Sequence, residues 1–153
     1  MTLTRANAEV ELVGRAKGKM ELVGMAVTVV GTNADLNGPL ASALRKMGIA
    51  PASPITVTDT DLANLTDADI DEYLDRAELR LLENIHRNYT LVDIKSGPQD
   101  EKLSQIAAQL ENAIETLTAK IRSEYGDTGA NSSFAVGVTR IDGYSEEAEG
   151  NTE

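Results

Sequence analysis

A chain of 153 residues is enough for one domain, or one domain with an appendage. It has no cysteine and one histidine, which excludes disulfides, thiolate nucleophiles, sulfur-built zinc sites and histidine clusters. Fourteen basic against 25 acidic side chains leave a net charge of −11, a surface that repels a phosphate backbone.

The charge is unevenly spread. Residues 1–57 carry six basic and four acidic groups, residues 58–126 seven and fifteen, and residues 127–153 one and six. This reads first as a solvated acidic surface. Its functional counterpart is the wall of a channel to which nucleic acid must not stick. The longest apolar run, Met25 to Val30, is broken by Thr28 and falls far short of the roughly 20 residues of a membrane-spanning helix. The first residues lack a secretory apolar core, so the protein is expected to stay where it is made.

In chain order, Thr4 to about Val23 reads as a helix capped by Thr4, with Ala6, Val10, Val13, Lys17 and Met20 at helical spacing. Gly14, Gly18 and Gly24 weaken it, each by about 1 kcal/mol against Ala. The repeat of Glu-Leu-Val-Gly at 11–14 and 21–24 reflects a shared face rather than an architecture. Met25 to Val30 is predicted to be a short strand or a buried connector. Gly31 to Asp35 is a turn cluster leading to a helix over Leu36–Met47, with Pro39 in its first turn and Gly48 as its stop. Leu36, Leu40, Ala43, Leu44 and Met47 form its apolar stripe. Ile49 to Val57, with Pro51 and Pro54, is an extended connector.

Two caps follow, Thr58-Asp59-Thr60-Asp61 and Thr66-Asp67-Ala68-Asp69. The first opens a short helix ending near Leu65. The second opens a long helix over Asp67 to about Asn88, with Ile70, Tyr73, Leu74, Ala77, Leu81 and Ile85 as its stripe. Leu79 and Leu82 lie off that stripe, so this helix is expected to pack between two neighbours, with both leucines in a helix–helix or subunit contact. Leu91 to Ile94 reads as an extended link. A last helix runs from about Pro98 to Tyr125, a rod of about 42 Å. Its seam is Leu103, Ile106, Leu110, Ala113 or Ile114, Leu117 and Ile121, with Gly126 as its stop.

Beyond Gly126 the composition changes. Phe134, Val136, Val138 and Ile141 nearly alternate in a strand-like run, and the last ten residues are acidic with the composition of a disordered tail. Such a strand is either packed on its own domain or lent to a partner. The sequence reading favours a docking arm for a partner, anchored by Phe134. The fold class is therefore mainly α: a small helical bundle over residues 1–126 with one long C-terminal helix, and an extended or β arm over 127–153.

Chemistry is sparse. Asp67, Asp69, Asp71, Tyr73, Asp75 and Glu78 match a calcium-loop spacing, but Glu72 stands where that loop needs glycine. They read instead as an acidic helix start. His86 has no evident catalytic partner, and Arg15-Ala16-Lys17-Gly18-Lys19 reads as an exposed helix face. No phosphate-cradling glycine loop or nucleophile elbow is present. No catalytic set, metal or cofactor is expected.

The segments Gly31-Thr32-Asn33-Ala34-Asp35-Leu36-Asn37-Gly38-Pro39-Leu40, Val57-Thr58-Asp59-Thr60-Asp61-Leu62, Arg76 to Glu83 and Gly97 to Gln105 occur in an order that resembles the tailed-phage head-to-tail connector (adaptor or neck) family. The resemblance covers roughly residues 31–126. It implies a structural virion protein at the neck, assembled in the host cytoplasm, forming a twelve-fold ring beneath the portal and giving a passage for DNA. Its partners would be further copies of itself, the portal protein and the next neck or tail protein, with no membrane and no sequence-specific nucleic acid. The rival expectation is another homo-oligomeric interaction protein, a tail-completion or scaffolding factor. Interface residues expected on this reading are Leu79, Leu82, Phe134, Val136, Val138 and Ile141.

Overall fold

The computed structural model describes residues 2–96 and 100–126, and at 90–96 and 100–103 the backbone alone. These residues form a mainly α bundle: α1 (Arg5–Leu22), a 3-10 turn (Ala34–Leu36), α2 (Asn37–Lys46), α3 (Asp59–Leu62), α4 (Asp67–Ser96) and α5 (Asp100–Tyr125). No strand occurs among the described residues. The arm expected over 127–153 lies outside them.

α4 is the hub, with α1, α2 and α5 all packed against it. Tyr73, Leu74, Ala77, Leu81, Leu82, Ile85 and Tyr89 are all buried. Those residues cover far more than one narrow stripe, as a helix between neighbours requires. Leu12, Met20, Leu36, Leu40, Leu44 and Leu62 close the core from the other elements. The hydroxyl of Tyr73 has no hydrogen-bond partner among the described residues, and burial pushes its pKa up.

The helix starts follow the caps in the sequence. Thr4 accepts from the Asn7 N–H at 3.2 Å, and the Arg5 N–H donates to Asp59 at 2.6 Å. Asp61 accepts from the Thr58 N–H at 2.8 Å and from Ala52 N–H at 2.9 Å. Asp69 accepts from the Thr66 hydroxyl at 2.6 Å and its N–H at 3.1 Å. Both carboxyls are held below the ordinary range, Asp61 by the Ala52 and Thr58 amides and Asp69 chiefly by the Thr66 hydroxyl. Gly126, at φ 77°, ends α5 in the left-handed region where glycine is favoured.

Three expectations need correcting. Met25–Val30 forms neither a strand nor a buried connector: it is irregular and half-buried at best, with Val30 74 % exposed. Leu91–Ile94 is not an extended link, because α4 continues to Ser96. Nothing in 89–96 breaks a helix; the first breakers are Gly97 and Pro98. The buried stripe of α1 is also rotated. Val10 is 50 % exposed and Lys17 faces solvent, while Arg5, Ala8, Glu9, Leu12, Val13, Ala16 and Met20 are buried.

Arg5 and Glu9 explain the rotation. The Arg5 Nε donates to Glu9 Oε1 at 2.9 Å, and both side chains are almost wholly removed from water. The remaining Arg5 donors reach the carbonyls of Val57 (3.2 Å) and Asn33 (2.9 Å) and the side chain of Asn37 (2.8 Å). Glu9 accepts from the N–H groups of Gly31 (2.7 Å) and Asn33 (2.9 Å). Gly31 sits at φ 86° to present that N–H, a conformation a side chain disfavours. Asn33 in turn donates to the carbonyls of Ala26 and Thr28. One ion pair thereby fixes both long connectors against α1. Gly14 and Gly18 lie on the opposite, solvent side of α1, with nothing within 4 Å of where a Cβ would stand.

Removing one partner of a buried, hydrogen-bonded pair leaves an uncompensated charge, at a cost of roughly 3–5 kcal/mol. Glu9→Ala should lose that much in urea unfolding, whereas Glu11→Ala, exposed on the same helix, should change stability by less than about 0.5 kcal/mol. Equal effects at the two positions would remove the central role of the pair.

Candidate functional site

The helices meet at Asp75. Its Oδ1 accepts from Arg15 of α1 at 3.1 Å, and its Oδ2 accepts from Lys120 (2.8 Å) and the Tyr125 hydroxyl (3.0 Å) of α5. Arg15 also donates to Glu78 at 3.0 Å. Burial pushes the Asp75 carboxyl up, but the hydrogen bonds from Lys120, Tyr125 and Arg15 outweigh it, and the net shift is downward. The same contacts raise Lys120. Tyr125 is raised first by burial and then by the neighbouring carboxylate. The arrangement is a clasp joining three helices. Three hydrogen bonds to one carboxylate tie α1 and α5 to α4 at this point.

Three other acidic residues of this region are similarly engaged. Asp69 caps α4, Glu72 pairs with Arg76 at 2.7 Å, and Glu78 shares Arg15. The segment with calcium-loop spacing is continuous helix, and no group of three or more metal-ligating side chains gathers among the described residues. His86 lies 3.3 Å from Glu111 across the α4–α5 seam, on the surface. Of the basic tract, Arg15 joins the clasp while staying partly open to solvent, and Lys17 is exposed.

Two surface features stand beside the clasp. α1 and α4 leave a groove of about 450 Å³ between them, with Leu3, Val10, Ile70 and Leu74 as apolar lining and Glu11, Asp71 and Arg15 at its edges. On α5, Leu110 and Ile121 are buried against α4, while Ile106, Ala107, Ala113, Ile114 and Leu117 are only partly covered. The expected interface residues divide. Leu82 is 2 % exposed and belongs to the chain's own core, as a helix–helix contact. Leu79 is half-buried in a shallow hollow with Ser42, Lys46 and Arg80. Phe134, Val136, Val138 and Ile141 lie outside the described residues. No helix is long and apolar enough to cross a membrane among the residues described.

Sequence reading missed the clasp and the Arg5–Glu9 pair. The four-residue spacing of Arg5 and Glu9 was a signal for the pair. Asp75 carried a weaker one, since it interrupts a stretch whose flanking Leu74 and Ala77 both belong to the stripe. Tyr125 offered none.

A depressed carboxyl stabilises above its ordinary pKa of about 3.8, and that stabilisation is lost as pH falls through the folded value. Asp75→Asn should therefore lower the melting temperature by roughly 3–8 °C at pH 7 and by much less near pH 3. A pH-independent deficit would assign Asp75 a purely steric role. Separately, Leu82→Ala should cost about 2–5 kcal/mol of monomer stability, and Leu79→Ser no more than about 1 kcal/mol. Reversed magnitudes in chemical denaturation would reverse the division between core and surface.

Compared with protein-family models, with curated proteins and with solved structures, the chain matches none of them.

Proposed function

We propose that this chain is a structural subunit of a homo-oligomeric ring of the tailed-phage head-to-tail connector type, joining the portal to the tail and leaving a passage for DNA. The observation that carries the oligomeric part is the half-covered seam of α5. Leu110 belongs to the core that α4 organises and Ile121 is buried, yet Ile106, Ile114 and Leu117 keep part of their surface toward solvent. A 26-residue helix, about 39 Å long, carries that seam. A neighbouring subunit packed along it would remove the remaining apolar area from water.

The acidic balance supports the rest of the reading. A passage for DNA favours walls that do not neutralise phosphates, and a net charge of −11 provides a repulsive surface. The twelve-fold symmetry, the portal as partner and the virion neck as location come from the family resemblance. The groups that chemistry would need are tied up in caps and clasps, which favours a structural role over an enzymatic one.

The test is native mass spectrometry of the 16.3 kDa chain alone and with a tailed-phage portal protein. A closed oligomer, formed alone or on the portal, is the expected result. Ile114→Glu with Leu117→Glu should abolish it while leaving the helical circular dichroism intact. A chain that stays monomeric with and without portal would sink the ring reading. A closed oligomer indifferent to portal would favour the scaffolding alternative.

A further inference from the structure

We propose that the groove between α1 and α4 is the seat of residues 134–141 of the same chain. α5 runs antiparallel to α4: Glu111 faces His86, and Lys120 and Tyr125 both reach Asp75. α5 therefore ends level with Asp75. The groove begins there, along Ile70, Asp71 and Leu74 of α4, and no α5 residue lines it. Its other wall, on α1, includes Arg15, which also binds Asp75. The chain thus leaves its last helix beside one end of an apolar hollow.

The sequence that follows fits the site. Residues 127–133 are small and polar, and seven extended residues span up to about 25 Å, ample to reach the groove. Phe134, Val136 and Val138 stand at alternate positions, which in an extended chain would share one edge. Arg140 is the only base after residue 126, and the groove edges carry the carboxylates of Glu11 and Asp71. The same chain is favoured over a second copy because a short tether holds the segment at an effective concentration on the order of millimolar. The sequence reading lent this segment to a partner; the exit point of α5 favours its own groove in the free subunit. The seat does not depend on the ring reading, although a partner that needs the segment would have to displace it.

The full chain contains no cysteine, so an introduced pair reports one bridge without background. In Asn7→Cys/Ser133→Cys, with Asn7 exposed at the groove, mild oxidation should close a bridge within one molecule at a rate unchanged by tenfold dilution. Adding Phe134→Ser should slow closure by about tenfold or more. The control pair Asn112→Cys/Ser133→Cys, with the first position exposed on α5, should close at least about tenfold more slowly than the groove pair. Unfolding midpoints, measured for every variant, should stay close to the parent's. Bridges that form between chains would give the groove to another copy's segment and overturn the proposal. So would closure indifferent to Phe134, or equal rates for the groove pair and the control.

Discussion

The bundle depends on a charged pair in a place where charge is costly. Arg5 and Glu9 sit on the buried face of α1, and isolated there either would forfeit several kcal/mol of hydration. They are tolerated because Arg5 makes four side-chain hydrogen bonds and Glu9 accepts three: on each other, on the ends of both connectors, and on the start of α2. The gain is positional. Apolar packing alone is indifferent to small slides of a loop, whereas a guanidinium fork meeting fixed carbonyls is not. The connectors over 23–33 and 47–58 contain no regular structure beyond turns, so their course is set largely by these contacts.

Helix starts were the most legible part of the fold because they are local. A hydroxyl followed three residues later by a carboxylate specifies its own hydrogen bonds, and Thr58 and Thr66 each meet theirs. What could not be read locally depended on partners distant in sequence. The face of α1 was misjudged because apolar periodicity counts Arg5 and Glu9 as solvent-facing, and only their mutual satisfaction makes burial possible. The length of α4 exceeds the sequence expectation because Val92 and Ile94 suit strands by intrinsic preference, while the helix needs only that nothing interrupts it. The clasp is the same lesson at a site: Asp75 is one acidic residue among many until Arg15 and Tyr125, sixty residues before it and fifty after, are brought to it.

The acidic surplus also takes on a different meaning residue by residue. Between Asp59 and Glu78, carboxylates cap helices, hold an amide of a preceding connector, or neutralise Arg15, Arg76 and Lys120. These do double service, since each group remains negative while organising the chain. The acidic character of this stretch of surface is accordingly a by-product of how the bundle is held together. Changing its charge by substitution would first disturb the bundle.

The two glycines on the outer side of α1 divide that helix into unequal halves. Arg5, Glu9 and the Asp59 contact anchor its first turns, whereas Gly14 and Gly18 reduce the helical preference of the turns that follow. Arg15, Ala16 and Met20 are the points that tether the second half to the rest. Local opening therefore has a direction. Amide exchange should report a gradient, with the smallest opening free energies near Lys19 to Leu22 and values approaching global unfolding near Ala8 and Glu9. The helix is thus held by an ion pair and caps at its first turns and by apolar packing and Arg15 at its last.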